Sequence, residues 1–119
     1  MAVLKTPRAM FPAASVAALA TSSGPEVDLS TSLGLAITAR ITNGATAPTV
    51  AGGCTVEVRT DDAAPWRPWA TGFGGIVANG VYDLSWDIPP AVIRARVTFT
   101  GNTGQAVTCE AFGHELSAV

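Results

Sequence analysis

The chain is short of charge. Only 13% of its 119 residues are Asp, Glu, Lys or Arg, about half of the roughly 25% usual in soluble domains. Lys5 is the sole lysine and His114 the sole histidine. Seven basic and nine acidic residues leave a net charge of −2, so neither nucleic acid nor an anionic membrane is expected as a partner. There are only two cysteines, Cys54 and Cys109, without the close spacing of a zinc or redox motif. No apolar run approaches the roughly 18 residues of a membrane-spanning helix. A helical period long enough to trust is also missing.

What the chain has in quantity is hydrophobic side chains, 48% of the total. That excludes an intrinsically disordered chain. It also requires a surface built largely from Thr, Ser, Asn, Gly and Ala. At this length one domain with a sizeable core is expected.

The first 20 residues differ from the rest. Seven are alanine, and Lys5 and Arg8 are their only charges, whereas the body from Gly24 holds five arginines against nine acids. Lys5 and Arg8 ahead of Ala18-Leu19-Ala20 have the shape of a secretory leader with an A-x-A site, but Pro12 interrupts the apolar run. Residues 1–23 are therefore expected to form an uncleaved extended arm, reaching to a partner through Lys5, Arg8, Met10 and Phe11. Residues 24–119 form the body. A cleaved leader, with a Cys54–Cys109 disulfide, is the alternative.

Beyond Ser22-Ser23-Gly24-Pro25 the pattern is of strands. In 35–42, Leu35, Ile37, Ala39 and Ile41 share one face while Thr38, Arg40 and Thr42 share the other, a half-buried strand. Cys54, Val56 and Val58 point inward in the next. Pro65-Trp66-Arg67-Pro68-Trp69 fits only an edge or a connection, because two prolines remove ladder donors. Alternation resumes at 81–86, and again at 91–100, where Ile93, Ala95, Val97 and Phe99 oppose Val92, Arg94 and Arg96. Gly101-Asn102-Thr103-Gly104 has the composition of a hairpin loop. The last strand turns Val107, Cys109 and Ala111 inward. Short strands are added at 26–29 and near 75–78. The sum is an all-β, antiparallel β-sandwich, jelly-roll-like. The Cys54, Trp66 or Trp69, Cys109 order makes an immunoglobulin-type sandwich the alternative.

No set of residues has the arrangement of a catalytic centre. Asp61 and Asp62 stand together in a turn, where carboxylates usually cap backbone amides; His114 has no nucleophile motif to serve. Neither an enzyme nor a cofactor or metal is expected, and both cysteines are read as buried thiols. The candidates are for binding. Trp66 and Trp69 suit a rigid contact loop or, with Tyr82, Phe73 and Trp86, an aromatic platform for sugar rings. Trp86 packing into the core and Trp66 or Trp69 plugging the sandwich end are the plainer roles. Arg94 and Arg96 can pair with a partner's acids or across strands within the domain.

The stretch from Cys54 through Asp61-Asp62 to Trp66, then Trp86-Asp87-Ile88-Pro89-Pro90, the Ile93–Phe99 strand with Arg94 and Arg96, and Gly101–Gly104 resembles small β-sandwich proteins that decorate tailed-phage virions. The likeness covers about half the chain. It implies a head decoration or cement protein on the capsid surface, bound across neighbouring major capsid subunits and often a homo-oligomer. A tail-fibre or surface carbohydrate-binding module is the alternative it leaves open.

Overall fold

The computed structural model describes residues 3–118; Met1 and Ala2 of the expected arm and Val119 of the expected body lie outside them. Among the described residues, nine strands form two antiparallel sheets: β1 (Val3–Val16), β2 (Thr21–Ser23), β3 (Val27–Asp28), β4 (Gly34–Thr42), β5 (Gly53–Arg59), β6 (Arg67–Phe73), β7 (Val81–Ile88), β8 (Arg94–Thr100) and β9 (Val107–Ala118). One sheet has the order β1-β9-β4-β7, the other β2-β8-β5-β6, with β3 also on β8. β2 and β3 are thus two pieces of one interrupted strand. The chain changes sheet at every connection except that break and the β5–β6 hairpin, which is the jelly-roll path.

The alternating segments lie as their periodicity dictates. Leu35, Ile37, Ala39 and Ile41 on β4, Cys54, Val56 and Val58 on β5, Ala95, Val97 and Phe99 on β8, and Val107, Cys109 and Ala111 on β9 are all buried between the sheets. Each large side chain removed from water there contributes roughly 1.5–3 kcal/mol. Cys54 and Cys109 are free thiols inside this layer. Burial pushes both up to about 12 from the usual 9, and for Cys54 the neighbouring Cys109 adds to it. A raised thiol favours the neutral form in the fold, so its stabilising effect is intact below about pH 9 and is lost as pH rises towards 12. The native protein should therefore resist a maleimide at pH 8 and take up two equivalents once denatured; fast labelling of the native state would contradict that burial.

Three expectations are corrected. Residues 3–16 are not an arm. They form the edge strand β1, paired with β9 from Val3↔Ala118 to Val16↔Val107. Met10, Phe11 and Val16 lie in the core, so the sandwich takes in both sides of the expected boundary at residue 24. Two register shifts, between Ala9 and Phe11 and between Phe11 and Ala14, bulge the strand. With the extra residue, Met10 and Phe11 can both point inward although they are adjacent. Gly113 on β9 leaves space for Met10: a Cβ there would meet Met10 Cγ at 3.1 Å. Phe11 meets Phe99 edge to face, centroids 4.8 Å apart. Secondly, Gly101–Gly104 is not a hairpin loop, because β8 and β9 belong to different sheets. Thirdly, residues 75–78 are loop, and the strand before them is β6. The two prolines confine that segment to the sheet edge, where Pro68 is tolerated.

Candidate functional site

The sequence-selected residues are dispersed, and most are already engaged. Lys5 is exposed on β1. Arg8 Nε donates to Glu115 at 2.8 Å, a carboxylate only 6% exposed. Met10 and Phe11, expected to touch a partner, are interior residues. Arg94 pairs with Asp62 at 2.7 Å and Arg96 with Glu57 at 3.1 Å. Glu57 is partly desolvated, which opposes its charge, but hydrogen bonds from Thr98 and Arg96 prevail and hold it below the ordinary carboxylate range. Both arginines therefore pair within the chain, Arg96 across strands and Arg94 with the turn after β5. Asp61 accepts the Ala63 amide at 2.8 Å, closing its turn.

Trp66 and Trp69 do not combine into a platform. Trp66 lies on the outer face of the second sheet, its ring centroid 4.6 Å from the Arg59 guanidinium and 4.4 Å from that of Arg96. It covers a sheet face and does not plug the sandwich end. Trp69 is the extra residue of a bulge, since Ala70 pairs with Val56 and Pro68 with Glu57. It turns instead towards Val58 and Val92 in a cleft of about 170 Å³. Trp86 is half-buried against the core.

A different surface emerges where four connections converge at one end of the sandwich: 17–20, 43–52, 74–80 and 101–106. Buried Asn43 and Asn102 knit them together. Asn102 Nδ2 donates to Asn43 Oδ1 at 3.2 Å, and Asn43 Nδ2 donates to the carbonyls of Gly75 and Val77 at 2.8 and 2.9 Å. Leu19 N donates to the Asn102 carbonyl and Asn79 N to that of Gly44. The Thr103 hydroxyl accepts the amides of Thr49 and Val50. Packing is tight: a Cβ on Gly101 would sit 2.2 Å from the Ala17 carbonyl oxygen, so only glycine fits. Buried amides satisfied in this way fix loop geometry, because an unpaired one costs about 1–3 kcal/mol.

This end carries no Asp, Glu, Lys, Arg or His in any of the four connections. Of the three at the opposite end, 29–33, 60–66 and 89–93, the one after β5 holds Asp61 and Asp62. The uncharged pole instead presents Leu19, Val50, Phe73, Ile76, Val77 and Val81, each 55–74% exposed. Single exposed apolar residues are ordinary, but a cluster of them marks a contact surface. Leu19 is held at φ 62°, a region that costs a leucine about 1 kcal/mol; the fold spends that on a side chain pointing into water. Sequence reasoning selected none of these as site residues except Phe73, placed with the sugar platform. Their signal is Gly74-Gly75-Ile76-Val77 and Thr49-Val50, apolar residues among turn formers.

No protein-family model and no curated protein matches the chain. Solved structures do. The SPBc2 prophage-derived protein YomS matches over 98% of this chain and 96% of its own, with TM-score 0.60 and 16% identity. Two structures from infectious bursal disease virus, one of the Gx strain and one of a VP2 subviral particle, match 97% of this chain with TM-scores of 0.64 and 0.60 and identities of 9% and 8%. The PBSX exported protein XepA matches 96% of it with TM-score 0.57 and 14% identity. The chain spans about a third of the viral chains and 37% of XepA, but nearly all of YomS. At such identities the likeness is one of fold: this jelly roll is shared with prophage-derived and virus-particle proteins.

Proposed function

We propose that the chain is a structural protein of a phage-type particle: a decoration or cement protein on the capsid surface, bound to major capsid subunits through its uncharged pole. The observation that carries this is the pole itself, four hydrogen-bonded connections that lack charge and hold apolar side chains out in water. Covering on the order of 500 Å² of such surface returns about 12 kcal/mol before the costs of association. Preformed loops keep those costs low. The fold shared with prophage-derived and virus-particle proteins supports the same reading, and the role is one of contact area, not catalysis. The carbohydrate-binding alternative has less behind it, because Trp66 and Trp69 turn to different faces of the second sheet.

The test is attachment. Particles from the producing culture, banded on a density gradient, should carry the parent protein. A double variant, Ile76→Asp with Val77→Asp, should remain in the soluble fraction while melting within about 2 °C of the parent, since both positions are exposed. Burying two unpaired carboxylates at a contact costs several kcal/mol, hence a loss of attachment of at least 100-fold. Banding of the folded double variant at parental level would remove the pole from the proposal.

A further inference from the structure

The four sheet edges are treated unequally. Open edges invite pairing with another chain, and proteins blunt them with proline, lysine, bulges or brevity. β1 carries Lys5, Pro7, Pro12 and two bulges. β6 carries Pro68 and the bulge at Trp69. β2 and β3 are three and two residues long. β7 alone has none of these devices: its eight residues pair in unbroken register with β4, Leu35↔Ile88 to Thr42↔Val81.

The phase of that ladder decides which groups face out. The Gly80 carbonyl accepts from Asn43 N at 2.9 Å, so even-numbered residues of β7 bond to β4. Val81, Asp83, Ser85 and Asp87 therefore turn N–H and C=O to the open side. On the core-facing side, Tyr82, Leu84 and Trp86 are only half-buried; Leu84 and Trp86 pack onto Gly72 of β6, and Tyr82 onto Gly75 and Gly80. That row is symmetric about Leu84, aromatic on either side.

We infer that β7 pairs antiparallel with β7 of a second copy, about a two-fold axis at Leu84, joining the two four-stranded sheets into one of eight strands. This register places Tyr82 against Trp86 of the second copy and Leu84 against Leu84. On the outer face it sets Asp83 opposite Ser85 and Asp87 opposite Val81, so no acid faces an acid. Moving the axis to Ser85 would oppose Asp83 and Asp87, which is destabilising. β1 of a second copy is a poor occupant because of its prolines and bulges. Since the two β7 strands run in opposite directions, the dimer carries a pole at each end and can link two capsid subunits. That last step rests on the proposed function; the pairing does not.

Sedimentation of the isolated full-length protein tests it. The parent should be a dimer at 50 µM. Ser85→Pro deletes an outward N–H that the β4 ladder does not use, and should give a folded monomer. Ser85→Asp, which faces Asp83 twice across the axis, should weaken dimerisation at least tenfold, whereas Ser85→Lys should preserve or strengthen it. A monomeric parent overturns the inference, as does a folded Ser85→Pro dimer. Equal weakening by Asp and Lys overturns the Leu84 register. Particle attachment by a monomeric parent would leave the proposed function standing alone.

Discussion

Deleting residues 1–16 is expected to abolish cooperative unfolding altogether. The expected arm would be dispensable to folding, but β1 is the strand on which β9 closes, and it takes Met10, Phe11 and Val16 out of the core with it. Each such loss costs about 2–5 kcal/mol, against a total stability of roughly 5–15 kcal/mol for a domain of this kind. The deletion also bares the outer edge of β9 and leaves Glu115 without Arg8. Thermal melting by circular dichroism reads this directly, with Met10→Ala as the graded control at about 2–5 kcal/mol. A deleted chain that still melts in one sharp transition near the parental temperature would make β1 an appendage after all.

The second large effect is expected at Asn43. Its side chain joins Asn102 to the carbonyls of Gly75 and Val77, and its own amide holds Gly80. Asn43→Ala removes three side-chain hydrogen bonds, leaving buried Asn102 and the part-buried carbonyls of Gly75 and Val77 without this partner, at about 1–3 kcal/mol each, less whatever water restores. A loss of roughly 3 kcal/mol in urea unfolding is expected. Amide exchange should also rise sharply across 74–80 while the core of β4 and β8 keeps its protection. If stability falls by less than 1 kcal/mol and the 74–80 amides stay protected, the pole is not held by this amide pair.

The sequence was most readable where one face of a strand meets one core. β4, β5, β8 and β9 each present a clean period of two, and the inward residues assigned on that basis are buried except Ile93, which precedes β8 and is half-buried while its neighbour Val92 enters the core. Pro65 and Pro68 marked an edge for the same local reason. β1 escaped because its bulges break the period: Met10 and Phe11 are adjacent, and the next buried residue is Val16. An Ala-rich strand with two prolines does not look like part of a core. The pole was illegible for another reason. Leu19, Val50, Val77 and Asn102 lie far apart in the chain, and only the jelly-roll path brings their loops to one end. Arg94 and Arg96 read as able to pair, but Glu57 as the acid of Arg96 follows from cross-strand register, and Asp62 as that of Arg94 from the fold of the turn after β5, neither of which periodicity supplies.

The pairing of β1 with β9 also fixes an order in time. Arg8 and Glu115 are 107 positions apart, so on a ribosome moving at about 5–20 residues per second β1 waits several seconds for its partner. Through that interval a long, partly apolar strand is exposed beside every other nascent chain. Pro7, Pro12 and the bulges, which in the finished sandwich blunt an edge, are then a safeguard during synthesis: they make β1 a poor template for anything except β9.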